Sequence, residues 1–561
     1  MTLLSIHALR QQILNSRLAY VLGNPFLRFT RIPTTPSCIL RDPWRGDIIT
    51  GERFIHDQVL HNGTIYTLHC GEWDNDLWTD SFKRWLHSFV WLRDLRQVGT
   101  QSARQKARTL IRQWIHTPPS QRSLTDPSIT GSRIAIWLGC YRFFADSSDD
   151  NFKQNLMSTI IVETHSIMVL SKTVQGYKAL VALKGLLAAA VSLPQYPKFL
   201  QRYLYLIDDV LQQQLHPDGG HYSRNPEQQF LIVRELAEMI SFLQTAQRPL
   251  PTRLQETANR ATQALRAMQH SDGGLALFNG STELDPQIIE HVISRASRNK
   301  VIASSLPETG FLRMSNGRAV VIVDTASPTL TEPETNTHAG MLSFEFSSAK
   351  KRIIVNCGSS SIDPWSEALR YPAAHSVLEI TNLTPSYPYT HDRSLPLPKV
   401  THRHRINNGS HWLEMSHNNY ASQGGGLYYR RLYLSRDGKH FRGEELIENA
   451  HVPISVKVRF HLHPNVMIKV VENGYLLHTR EETWLFRSNT RIIVEESIYL
   501  GQGTPIPTLQ LTLAHTYKKD SLSLPQNTSE KSSPSTEITT EQANSFSFPA
   551  IQWALALVNP S

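Results

Sequence analysis

Apolar residues recur at helical spacing through the first half of the chain. Trp85, Phe89, Trp91, Leu92 and Leu95 form one such stripe; Ile134, Trp137, Leu138, Tyr141 and Phe144 form a second; Tyr203, Ile207, Leu211 and Leu215 form a third. Spacings of three and four residues put each set on one face of a helix. Pro194, Pro197, Pro217, Pro226, Pro249 and Pro251 punctuate the run where helices would join. Many amphipathic helices with short joints predict pairs packed around a ring or arc.

The period changes near residue 310. Short strand-like segments follow: Arg318–Asp324, Leu342–Phe346, Arg352–Val355, Ser376–Ile380, Val456–His461, Thr483–Phe486 and Arg491–Val494. Asn316-Gly317, Asp437-Gly438 and Asn473-Gly474 supply turns between them. This predicts an antiparallel β-sandwich. The expected organisation is multidomain α+β: an N-terminal arm over 1–75, an (α/α) toroid over 76–310 and a sandwich over 311–561. Residues 518–547 are rich in Ser, Thr, Glu and Pro and poor in large apolar side chains. They are expected to form a disordered loop between the last two strands of the sandwich.

At 561 residues the chain is long enough for two or more cores. Its net charge of +9 favours anionic partners. No Lys/Arg run, zinc-finger pattern or RNA-binding signature accompanies that charge, which weighs against nucleic acid. Cys38, Cys70, Cys140 and Cys357 are widely separated, so no disulfide framework or cysteine metal site is expected. No apolar run reaches the ~20 residues of a membrane span, and Ala179–Leu193 reads as a core helix. Met1–Arg31 has neither a continuous apolar run nor a small-residue cleavage site. The default expectation is therefore cytoplasmic, with periplasm or cell envelope as the alternative.

Three stretches carry a family resemblance. They are Asp218-Gly-Gly-His-Tyr-Ser-Arg-Asn-Pro226; then Asp272-Gly-Gly-Leu-Ala-Leu-Phe-Asn-Gly280 with Gly310-Phe-Leu-Arg-Met314; then His338-Ala-Gly-Met-Leu-Ser-Phe-Glu-Phe346, Arg352–Gly358 and Ala374-His-Ser-Val377. Their order and spacing resemble heparinase II/III-like polysaccharide lyases, which join a helical toroid to a β-sandwich. The resemblance implies cleavage of an acidic, uronate-containing polysaccharide by β-elimination. A base removes the weakly acidic proton beside the carboxylate, while neutralising donors stabilise the charge that builds.

Against that chemistry, Gln228 and Gln229 stand where the lyases carry an adjacent Tyr-His pair. The neighbouring His221 and Tyr222 are the candidate catalytic pair. Arg224, Asn225, Gln228 and Gln229 are candidate substrate binders, Arg224 and Asn225 for the carboxylate, at a helix mouth whose amides favour an anion. For His221 the plainer role is a loop hydrogen bond, and for Tyr222 packing. Asn225 before Pro226 is also a natural helix cap. In the sandwich, Asn336 stands where the family has a catalytic His, and is a further candidate substrate binder. His338, Asn356 and His375 match its zinc ligands, with Asn356 in place of an expected Asp. Two imidazoles and an amide make a poorer zinc set than two imidazoles and a carboxylate, so buried histidines tying strands together are the competing expectation. These replacements also keep a second function open: a catalytically reduced glycan-binding or envelope-biogenesis protein.

Overall fold

The computed structural model describes residues 32–68, 71–117, 126–297, 303–328, 338–360, 364–385, 397–451, 453–517, 546–547 and 549–558. The chain divides into two compact units. One comprises Met1–Gln214, Ile232–Asn259 and Arg295–Arg298; the other comprises Leu215–Leu231, Arg260–Ser294 and Asn299–Ser561.

The first unit is helical. Thr79, Thr100, Asp126 and Asp149 cap successive helices, Asp80–Ser88, Gln101–His116, Pro127–Gly139 and Asp150–Leu170, by accepting a first-turn N–H. Helix Pro127–Gly139 packs on helix Gly176–Ser192. Gly131 and Gly185 meet at that crossing: a Cβ on Gly185 would lie 2.3 Å from the Gly131 Cα. Only glycine lets the two backbones come so close. Trp73, Trp78 and Trp91 are buried, and Phe89 packs edge to face on Trp114 and Trp137. These tryptophans are therefore core residues. Buried charges are matched: Arg93 binds Asp42 at 2.7 Å, and Lys184 binds Glu235 at 2.7 Å.

Two antiparallel sheets form most of the second unit. One runs, in spatial order, Ile492–Tyr499, Ile506–Tyr517, Ile454–Leu462, Lys351–Val355, Phe344–Ser348, Ala319–Asp324 and Phe311–Asn316, with Leu378–Ile380 beside Ile454–Leu462. The other runs Met467–Val471, Gly474–His478, Thr483–Ser488, Ile551–Val558, His440–Ala450, Leu427–Leu434, Ser410–His417 and Val400–Asn407, with Phe546–Ser547 beside His440–Ala450. Phe344, Phe346 and Phe460 from the first sheet interlock with Phe441, Trp484, Phe486 and Trp553 from the second, filling a sandwich core. The toroid-plus-sandwich fold class is the one expected from the periodicity. The stretch expected to be disordered lies outside the described residues, apart from Phe546–Ser547.

The segments Leu215–Leu231 and Arg260–Ser294 belong to the sandwich unit, and they carry a short repeat. His216-Pro-Asp-Gly-Gly220 and His270-Ser-Asp-Gly-Gly274 each close a turn, with the His N–H donating to the second Gly carbonyl (2.8 and 2.9 Å). Gly219 and Gly273 both have positive φ (90° and 88°). A single turn chemistry thus ends two helices, Pro197–Gln212 and Thr252–Ala267.

Candidate functional site

The Asp218 loop is pinned to the start of the sandwich. The Asp218 carboxylate accepts from the Glu308 and Thr309 N–H groups (2.9 Å each) and from the Thr309 hydroxyl (2.6 Å). Gly220 permits this contact, because a Cβ there would overlap Thr309 Oγ1.

Each expected site residue on this loop has a defined place. His221 is buried; its Nδ1 accepts from the Ser223 N–H (3.1 Å) and sits 2.7 Å from the Ser223 hydroxyl. That leaves the neutral ring's proton on Nε2. Burial, reinforced by His216, lowers its pKa to about 4, so the ring is neutral near pH 7. Held this way it offers no free lone pair to a substrate proton. Its geometry is that of the loop-bonding alternative.

Tyr222 is half-buried, with its ring edge to face against His216 at 4.4 Å. His216 is a residue that sequence reasoning misses, and the repeated His-x-Asp-Gly-Gly is the signal that points to it.

Arg224 adopts a left-handed backbone (φ 55°). Its guanidinium pairs with the buried Asp324 carboxylate and donates to the Thr309 carbonyl (3.0 Å), over the Phe311 ring. It already holds a carboxylate from its own chain.

Asn225 caps helix Pro226–Thr245. Its Oδ1 accepts from the Glu227 and Gln228 N–H groups (2.8 and 3.0 Å). The helix-mouth amides expected to attract an anion are thereby satisfied from within. Asn225 Nδ2 donates one proton to the Asn279 carbonyl (2.8 Å), and Asn279 Nδ2 donates back to the Arg224 carbonyl (3.1 Å).

Gln228 is half-buried, whereas Gln229 is fully buried. Gln229 Oε1 accepts from the His221 N–H (2.6 Å), and its Nε2 donates to the Gly219 and Ala261 carbonyls (2.9 and 2.8 Å). Gln229 therefore serves the loop's architecture and makes no contact suited to substrate binding.

The sandwich candidates converge beside this loop. Gly280, at φ 83°, is the meeting point: a Cβ on it would lie 3.5 Å from His338 Nε2, 3.6 Å from Asn225 Nδ2 and 3.6 Å from Ser359 Oγ. The His338 and His375 rings are 5.4 Å apart. Asn356 Oδ1 accepts from the Ser376 N–H (3.0 Å), placing it next to His375. Burial drives both imidazoles toward the neutral form, His375 to about 4 and His338 well below its usual value. His338 Nδ1, both His375 nitrogens, Asn356 Nδ2 and Ser343 Oγ are buried without a hydrogen-bond partner among the described residues. Such a concentration of unmet polar atoms makes this cluster a candidate functional centre. Asn336 lies outside the described residues.

The zinc expectation meets a poor donor set here. Asn356 turns its oxygen to Ser376 and presents a donor amide, and the nearby Glu345 is occupied by His270 (2.7 Å) and the Asn356 N–H (2.8 Å). Among the described residues no three His, Cys, Asp or Glu side chains are grouped for a metal. Two neutral imidazoles without a carboxylate do not fit resident zinc.

Residues 299–541 match the family described as heparinase II/III-like, C-terminal. The chain is 23% identical over 441 residues to FtsZ-localized protein C of Caulobacter vibrioides, covering 74% of this chain and 76% of that one. In structure it resembles heparinase III (TM-score 0.67, 13% identity, 98% of this chain and 90% of the other). It also resembles a heparan sulfate lyase from Pedobacter heparinus (TM-score 0.60, 13% identity, 98% and 88%) and the chondroitin AC lyase of Streptomyces coelicolor A3 (TM-score 0.50, 9% identity, 97% and 82%). Among the described residues no helix is long and apolar enough to cross a membrane. Residues 299–541 thus match the heparinase II/III-like C-terminal family, and the chain has the helical-toroid and β-sandwich fold of heparinase III.

Proposed function

We propose that this chain acts on an acidic, uronate-containing polysaccharide and cleaves it by β-elimination, with Tyr222 as the base. The observation that carries this reading is the Tyr222–His216 pair at the loop, a tyrosine and a histidine in contact where Gln228 and Gln229 replace the family's own pair. Tyr222, acting as the phenolate, takes the proton beside the uronate carboxylate, the bond to the leaving sugar oxygen breaks, and the Tyr222 hydroxyl so formed returns the proton to that oxygen. The product carries a carbon–carbon double bond. Around Gly280, the second Asn225 N–H, His338 and Ser359 supply neutral polar groups for the substrate's carboxylate or hydroxyls.

A second reading is favoured by the contacts of Arg224, His221 and Gln229, all three spent on holding the loop. It makes the chain a glycan-binding protein of the cell envelope without turnover; the resemblance to a protein named for its localisation with FtsZ supports such a setting. Incubation with a panel of uronate polymers, following the ultraviolet absorbance of unsaturated product, separates the two. Product from wild type and none from Tyr222→Phe supports the lyase. Binding with no product from wild type supports the second reading.

A further inference from the structure

The outer face of the nine-stranded sheet carries a row of residues that the loop site does not use. Register places Arg405 opposite Trp412, Trp412 opposite Tyr433, Tyr433 opposite Arg442, Arg442 opposite Ala554 and Ala554 opposite Arg487. Directly paired residues in antiparallel strands project from the same face. Six adjacent strands therefore contribute one residue each to a line running across the sheet. The alternate residues Leu413, Leu432, Phe441, Leu555 and Phe486 are buried in the sandwich core.

Arg405, Arg442 and Arg487 are exposed, and among the described residues none of them makes an ion pair. Trp412 is 53% exposed and packs at 4.4 Å on Tyr433, which Arg442 flanks. Leaving so large an apolar ring in water is unfavourable unless something covers it. Ala554 and Ala556 are small, and the face forms an open concavity of about 1210 Å³.

We propose that this face is a second binding surface for an acidic polysaccharide, laid across the strands along Arg405, Trp412, Tyr433, Arg442 and Arg487. The inference rests on the acidic-glycan reading above and adds a surface apart from the loop site. Charge spacing selects the occupant. At about 4.8 Å per strand, Arg405 and Arg442 stand roughly 14 Å apart and Arg442 and Arg487 roughly 10 Å. That suits a polymer with one anion per sugar ring, whose ring faces stack on Trp412 and Tyr433. A nucleic-acid backbone is far denser in charge. It would also meet Glu414 and Glu444 in the next row, two carboxylates that share Arg431. The row crosses the strands and reaches the edge strand Val400–Asn407 only at Arg405, so an extended peptide paired along that edge would leave Trp412, Tyr433, Arg442 and Arg487 uncovered.

The test is equilibrium binding of the full chain to long polygalacturonate, with dextran, polyglutamate and duplex DNA as comparison probes. The triple variant Arg405→Ala/Arg442→Ala/Arg487→Ala should bind polygalacturonate on the order of tenfold more weakly, and Trp412→Ala should weaken it too. Wild-type binding should fall as salt rises, and all variants should keep the wild-type melting temperature. Unchanged affinity in the triple variant overturns the proposal. So does tighter binding of polyglutamate or DNA through the same arginines. Formation of unsaturated product is read separately, so row-dependent binding without product counts against the lyase reading alone, and product with row-independent binding counts against this surface alone.

Discussion

His338 and His375 meet with ring centroids 5.4 Å apart, at an interplanar angle of 65°, with both Nδ1 atoms buried and unpartnered among the described residues. Beside them, Asn356 presents an unpartnered Nδ2 where the family resemblance implies an Asp. Asn356→Asp would exchange that idle donor for a buried carboxylate. Without metal the variant should be less stable than wild type, because the new charge has no partner. With zinc it should recover, since the missing ligand has been restored. The expected result is about one zinc per chain in Asn356→Asp and none retained by wild type after dialysis, read by elemental analysis and melting temperature. Stoichiometric zinc in wild type would show that the present donors suffice.

Arg224 and Asp324 form a buried pair whose loss leaves an isolated carboxylate. Burial already raises the Asp324 pKa, despite Arg224. Arg224→Ala should therefore cost about 3 kcal/mol of stability at neutral pH. The sign of its pH dependence follows from the direction of the shift. A carboxyl with a raised folded pKa loses stability as pH rises, so the penalty should grow with pH above the unfolded value and shrink in acid. Denaturant titrations of wild type and variant at several pH values check this; a pH-independent penalty would mean Asp324 finds another partner.

The change of period near residue 310 is legible because alternation and helical spacing are local properties, and Phe311 does begin the first sandwich strand. Asn225 as a helix cap is legible for the same reason, since Asn-Pro at a helix start is a two-residue signal. The role of Arg224 is not, because its partners Thr309 and Asp324 lie 85 and 100 residues further on. Nor is the contribution of Gly280, which appears in sequence as one more turn glycine. Its importance lies in what a Cβ would displace between His338, Asn225 and Ser359. The partners of His221 are short-range, Ser223 and Gln229, yet nothing in composition tells whether such a ring faces the loop or the substrate.

Buried histidines should make the protein sensitive to mild acid. His87, His221, His375 and His417 all have pKa values lowered to about 4, and His461 to about 3, burial being the leading cause in each. The unfolded chain takes up protons near pH 6.5, before the folded one does, so stability rises with pH between about 4 and 6.5. Each such group is worth roughly 3 kcal/mol once pH falls below its folded value. Glu283, lowered to about 2 by groups including His463 and Arg352 that outweigh its burial, adds a loss confined to pH below its unfolded value of 4.5. Unfolding followed from pH 7 to pH 3 should show the histidine-linked decline falling mostly between about pH 6.5 and 4. A flat profile there would mean these rings stay hydrated in the folded state.

Gln229 tests whether the loop was rebuilt around an amide. Its oxygen takes the His221 N–H while its nitrogen serves two carbonyls, Gly219 and Ala261. An amide is the only side-chain group that offers an acceptor on one arm and two donors on the other. Gln229→Glu keeps the shape and the first bond but turns an acceptor oxygen toward both carbonyls. The expected cost is about 3 kcal/mol at neutral pH, from two unmet buried acceptors and an unpaired charge. Protonation restores one donor, so the variant's carboxyl should titrate above the usual range in the folded state. Its deficit relative to wild type should then shrink as pH falls, the difference at each pH cancelling the histidine effect common to both proteins. Because the same amide fixes the His221 backbone, Gln229→Glu should also loosen the Asp218 loop, seen as faster amide hydrogen exchange at Gly220 and His221. Equal stability of variant and wild type at pH 7 would show that the loop does not depend on this side chain, and would reopen the position to a direct role in the site.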